Sequence, residues 1–110
     1  MAYNEDLADR VREQLRDEDA LTEMEMFGGV AFLLAGNMSV GISGDELIVR
    51  VGPDAGEDAL AQAHARPFDM PGRPMKGWIM VAPEGVKTDT QLATWVTRGA
   101  EFARTLPPKG

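Results

Sequence analysis

Apolar positions along this chain recur with two periods, three to four residues near its ends and two through its middle. Near the N-terminal end, Leu7, Val11 and Leu15 return every fourth residue with Ala8 beside them, while Arg10, Arg12, Glu13 and Arg16 fill the other positions. This stripe predicts a helix from its cap, Asn4, to about Asp17, with Glu5 and Asp6 suited to the positive end of the helix dipole. Such a helix is a lid for a second layer.

From Thr22 the period is two. Met24 and Met26 alternate with Glu23 and Glu25, predicting a half-buried strand, and Gly28-Gly29 then predicts a break or bulge. Residues 30–34 are apolar on both faces, as in a central strand. Gly36-Asn37 predicts a hairpin into a strand where Met38, Val40 and Ile42 alternate with Ser39, Gly41 and Ser43. Gly44-Asp45 turns into a fourth strand, with Leu47, Val49 and Val51 alternating with Glu46, Ile48 and Arg50. Turns this short require antiparallel neighbours.

After Gly52-Pro53-Asp54, a short helix is expected from Asp54 to about Ala63, with Ala55, Ala59 and Leu60 as its weak apolar side. Residues 66–74 carry three prolines and one glycine and predict a loop or irregular edge. Residues 75–81 read as the fifth strand, and Pro83-Glu84-Gly85 as a turn. Thr88 and Gln91 have capping-box spacing. The helix they open runs to about Leu106, with Leu92, Trp95, Val96, Gly99, Phe102, Ala103 and Leu106 on one face. Pro107-Pro108 ends it, and residues 107–110 are expected to fray. The expectation is a single α+β domain over residues 1–110. It is a two-layer sandwich with an antiparallel sheet of about five strands and helices on one face, in the order α-β-β-β-β-α-β-α.

That arrangement has a consequence for the sheet. If Met24, Val40, Val49 and Ile79 face the helices, Leu33, Ile48, Trp78 and Met80 line the opposite side. An uncovered antiparallel face is ordinarily more polar, so either a loop of the chain or another chain, a second copy included, is expected there. The seven methionines suit both an irregular core and an adaptable binding face.

Composition narrows the chemistry. With no cysteine, disulfides, thiolate metal sites and thiol nucleophiles are excluded. The formal charge of −7 opposes direct nucleic-acid binding, whose affinity comes largely from neutralised phosphates. The polar, acidic start is not a signal peptide, and the longest apolar stretch, residues 30–35, is too short to cross a bilayer. A cytoplasmic setting without membrane association is expected.

Candidate catalytic groups do not converge. His64 is the one histidine, with no second ligand or nucleophile patterned around it. The acidic run at residues 17–19 reads as solvated surface, and Phe27-Gly28-Gly29 lacks the length and lysine of a phosphate loop. No catalytic residue, metal or cofactor is assigned. The most distinctive segment is residues 71–78, where Arg73, Lys76 and Trp78 stand close together beside proline and glycine. This corner suits an anion or a partner peptide, as the binding site of a small ligand-binding protein or enzyme. With no acid, base or nucleophile converging nearby, the favoured reading is structural: a shaped turn with Trp78 in the core and Arg73 and Lys76 paired with surplus carboxylates. The candidate partner- or ligand-binding residues are therefore Leu33, Ile48, Arg73, Lys76, Trp78 and Met80.

The run Met26-Phe27-Gly28-Gly29-Val30-Ala31-Phe32, then Gly36-Asn37-Met38, then Gly72-Arg73-Pro74-Met75-Lys76-Gly77-Trp78, resembles the N-terminal domain family of the TfoX/Sxy competence regulators. The likeness extends over nearly the whole chain, to Phe102. It implies a two-layer α+β fold similar to secretion-chaperone-like folds, and a non-catalytic protein-binding or regulatory role. Full-length members regulate competence, working with the cAMP receptor protein at promoters, and carry a second domain. The present chain reads as a stand-alone copy of the first. The family supplies no catalytic residues to carry over.

Overall fold

The computed structural model describes residues 3–26, 28–70 and 73–108, and the side chains of these apart from residues 26, 69–70 and 73–76. Helix α1 spans Glu5–Leu15. The Asn4 side chain accepts a hydrogen bond from the Leu7 amide (3.1 Å), and Leu7, Ala8, Val11 and Leu15 are buried as the stripe predicts. Strands β1 (Leu21–Met26), β2 (Gly29–Leu34), β3 (Asn37–Ser43) and β4 (Glu46–Arg50) follow as an antiparallel meander. A 3-10 turn, Pro53–Ala55, leads into the short helix α2, Gly56–Leu60. Strands β5 (Ala65–Met70) and β6 (Arg73–Val81), a 3-10 turn at Pro83–Val86 and helix α3 (Asp89–Arg104) complete the order.

The sheet has six strands, in the order β1-β2-β3-β4-β6-β5, with every pairing antiparallel. The expected five-strand order is corrected by β5: of the loop and the irregular edge that the proline-rich stretch suggested, the irregular edge is what forms over most of it. The one proline of β5, Pro67, does not prevent pairing because β5 is an edge strand, where a missing N–H is tolerated. Helix α2 is shorter than expected and begins without a side-chain cap, so Asp54 does not play that part.

The glycine signals resolve into two-residue turns. Gly28, at φ 72, lies between β1 and β2, whose register closes at Met26 opposite Gly29, so no bulge interrupts the sheet there. Gly29 itself has no room for a side chain, because a Cβ would stand 1.8 Å from the Ile42 carbonyl oxygen. The next turn is Ala35-Gly36, one residue before the expected pair. Both have positive φ (52 and 84), the type I′ pattern whose twist suits a hairpin. Asn37 is instead the first residue of β3, buried, and its side-chain amide donates to the Pro107 carbonyl at 2.9 Å. The bulge of this region lies further on. Phe32 pairs with Val40 but Leu33 with Met38, leaving Ser39 as the extra residue, with its hydroxyl donating to the Phe32 carbonyl (2.9 Å).

All three helices contribute buried residues to one face of the sheet. The core there joins Val11 and Leu15 of α1, Ala59 of α2, and Leu92, Trp95, Val96 and Ala100 of α3 to Phe32, Val40, Val49, Ile79 and Val81. Helix α3 opens with the expected capping box: the Thr88 hydroxyl accepts from the Gln91 amide (3.1 Å) and the Thr88 amide donates to the Gln91 side chain (2.9 Å). Val40, Val49 and Ile79 face the helices as expected; Met24 does not. It pairs with Ala31 on the opposite face and is 53% exposed, whereas Glu23 pairs with Phe32 on the helix side. The pairing with β2 sets this parity: Leu21, opposite Leu34, packs against the main core, and on the same side Arg12 of α1 donates two hydrogen bonds to the Glu23 carboxylate (2.7 and 2.8 Å). These bonds raise the Arg12 pKa above its ordinary value.

Candidate interaction face

The sheet face away from the helices is built from small and flexible residues. Gly41 of β3 stands opposite Ala31 of β2 and Ile48 of β4, leaving a hollow. Met38 fills it: a Cβ on Gly41 would lie 2.6 Å from the Met38 terminal methyl. Ala31, Met38, Ile48 and Met80 form a second apolar cluster, separate from the main core, with Leu33, Phe68 and Trp78 packed against it and half-buried. The Phe68 and Trp78 rings are 6.3 Å apart and tilted at 45°. Gly41 and Ala31 thus leave the room that Met38 takes up, and the buried cluster is the base on which the half-buried Leu33, Phe68 and Trp78 pack.

Charged groups bound the cluster at two ends. Arg66 of β5 pairs with Glu46 of β4 across the strand that carries Met80, and this bond holds the Glu46 carboxyl below its ordinary range. At the other end, the Arg50 guanidinium lies 5.1 Å from the centre of the Trp78 ring and 5.3 Å from that of Phe102 on α3. Desolvation there lowers the Arg50 pKa. Phe102 is close because Gly52 leaves space for its ring; a Cβ on Gly52 would lie 2.5 Å from it. Arg50 therefore ties the end of the sheet to the last helix through two cation–π contacts.

Four of the six sequence-nominated residues are thus brought together. Leu33, Ile48, Trp78 and Met80 share the cluster, Ile48 as fully buried floor and Leu33 and Trp78 toward its surface. The backbones of Arg73 and Lys76 belong to β6, and their side chains lie outside the described residues. Phe68 and Arg50 were not nominated. Phe68 lies in the segment that the sequence leaves open between a loop and an irregular edge, so its face is not assigned there. Arg50 looked like an ordinary polar position of an alternating strand, and its aromatic neighbours come from β6 and α3.

On the helix side, an open groove of about 310 Å³ runs between α3 and the turn before β5, lined by residues including Gln62, His64, Thr94, Trp95 and Arg98. Arg98 lies over the Trp95 ring (5.3 Å) and pairs with Asp58 (3.0 Å). His64 is exposed, at φ 69, in the turn beyond α2. Among the described residues, no three histidine or acidic side chains converge as metal ligands, and no helix is long and apolar enough to cross a membrane.

The sequence model of the TfoX N-terminal domain matches residues 13–103. The chain belongs to the TfoX N-terminal domain family. The match takes in the Met26-Phe27-Gly28-Gly29 run, where the fold gives Gly28 its turn and Gly29 its close approach, and it supports a non-catalytic module for protein interaction or regulation. Searches of curated proteins and of solved structures find no match to this chain.

Proposed function

We propose that this TfoX N-terminal domain engages a protein partner through the sheet face opposite its helices. Leu33 and Trp78 form the contact surface and Ile48 and Met80 the floor beneath it, with Arg73 and Lys76, whose backbones belong to the same strand as Trp78, as the charged residues proposed to join the contact. The observation that carries this reading is the apolar cluster on the side of the sheet to which no described helix contributes. Half-buried leucine and tryptophan over a methionine-rich floor offer an adaptable apolar contact. The module acts in the cytoplasm in this reading, as a regulator of the kind the family resemblance implies. A net charge of −7 favours a protein partner over nucleic acid.

The test is affinity capture from native lysate with the wild-type chain and with Leu33→Arg and Trp78→Arg, each first checked for its helical and strand signal. A partner held by the wild type and lost with both variants supports the face. An identical capture profile for all three overturns it. Light scattering over a wide concentration range identifies a second copy as the occupant if mass doubles and both substitutions abolish the doubling.

A further inference from the structure

The two edges of the sheet differ. Strand β5 carries Pro67, which lacks an N–H, and its register with β6 shifts between Pro67 and Asp69. Both features discourage the addition of another strand. Strand β1 has neither proline nor bulge, and pairs with β2 in unbroken register from Leu21 opposite Leu34 to Met26 opposite Gly29. No described strand lies on its other side.

The ladder fixes which groups point outward. The Ala35 amide donates to the Ala20 carbonyl (3.0 Å), marking these as a hydrogen-bonded pair, and pairs alternate from there. Leu21, Glu23 and Glu25 consequently turn their N–H and C=O groups away from β2. On the helix side of the strand stand the carboxylates of Glu23, shared with Arg12, and Glu25, which has no cation partner among the described residues. On the other side stand Thr22 and the 53%-exposed Met24.

We infer that the β1 edge accepts an extended segment of a partner protein in which basic and apolar side chains alternate. Its backbone pairs with the outward groups of residues 21, 23 and 25. Its lysines or arginines lie beside Glu23 and Glu25, and its apolar side chains lie beside Met24. A second copy is the wrong occupant: antiparallel pairing of two β1 strands about Met24 sets Glu23 against Glu25 twice. The carboxylates that keep copies apart select a basic strand. This inference rests on the reading of the chain as a protein-binding module, but uses an edge distinct from the Leu33–Trp78 surface.

The experiment is amide hydrogen exchange on the whole chain with two blocked synthetic peptides, one alternating lysine with valine and the other glutamate with valine. The basic peptide is expected to slow exchange at Leu21, Glu23 and Glu25 by roughly tenfold or more, and the acidic one to leave it unchanged. Glu25→Pro, which removes an outward N–H at a tolerated edge position, abolishes the protection. Glu25→Gln keeps the backbone donor, and weakens binding while reducing its salt dependence. The inference is overturned if these amides stay unprotected, if the acidic peptide protects them equally, or if protection grows with protein concentration alone. Failure here leaves the capture result with Leu33→Arg and Trp78→Arg untouched, and the reverse holds.

Discussion

Gly99 of α3 rests on the backbone of Ser39 in β3 so closely that a Cβ at position 99 would stand 2.4 Å from the Ser39 carbonyl oxygen and 2.8 Å from a Val40 methyl. The contact falls at the bulge, where the extra residue of β3 meets the helix. Gly99→Ala must push the helix off the sheet or deform the bulge, since its nearest neighbour is backbone. A loss of about 1–3 kcal/mol is expected in urea unfolding, although alanine is the better helix former. A stability equal to or above wild type would show that the helix has slack over β3.

Gly28 and Gly29 separate two reasons for glycine. A Cβ on Gly28 meets nothing within 4 Å, so Gly28→Ala pays only for positive φ, about 1 kcal/mol. Gly29→Ala drives a methyl into the Ile42 carbonyl and costs more, about 3 kcal/mol or above. The ranking, read from paired denaturation curves, is the expected result.

Ala35 holds φ 52 in a turn that favours asparagine at its position. Ala35→Asn relieves part of the left-handed penalty, and a gain of about 0.5–1 kcal/mol is expected in the same assay. An unchanged midpoint would mean that the turn carries no strain.

The Arg66 bond lowers the Glu46 pKa in the folded chain relative to the unfolded one. The pair therefore contributes stability above the unfolded glutamate pKa, and that contribution is lost as pH falls through the lower folded value. Arg66 is more than half exposed, so the effect is small, about 0.5 kcal/mol. Glu46→Gln should flatten that part of the acid limb of a stability–pH curve, measured against wild type at each pH.

Much of this architecture is legible in the residue pattern because its signals are local. The stripe from Leu7 to Leu15, the Thr88–Gln91 capping box and the alternation of Leu47, Ile48 and Val49 each require only neighbouring residues, and each forms as written, whereas Met38, expected on the face of Val40 and Ile42, is turned to the other face by the bulge at Ser39. The errors arise where a distant partner decides. Alternation alone leaves open which face of β1 meets the helices; the antiparallel pairing with β2 settles it, setting Leu21 opposite Leu34 and Glu23 opposite Phe32 on the helix side. Proline leaves a loop and an irregular edge both open for residues 66–74, and pairing with β6, which uses only one side of β5, selects the edge. The shared position of Leu33, Ile48, Trp78 and Met80 was readable from parity, whereas the placement of Arg50 between Trp78 and Phe102 needs the sheet end and α3 together.

The strand order also governs assembly in time. Four seams of the sheet join strands that are consecutive in sequence across tight connections; the fifth, β4 with β6, must wait until α2 and β5 are placed. Hairpins close in microseconds, while bringing separated segments together carries the larger loop-entropy cost. The rate-limiting encounter is expected where Ile48 meets Met80 and Val49 meets Ile79. Val49→Ala and Ile79→Val should slow refolding, while Leu21→Ala, at the outer seam, should chiefly hasten unfolding in stopped-flow chevrons. The molecule thus behaves kinetically as a meander and a hairpin that zip along one line, and the two strands on that line carry both the centre of the core and the floor of the open face.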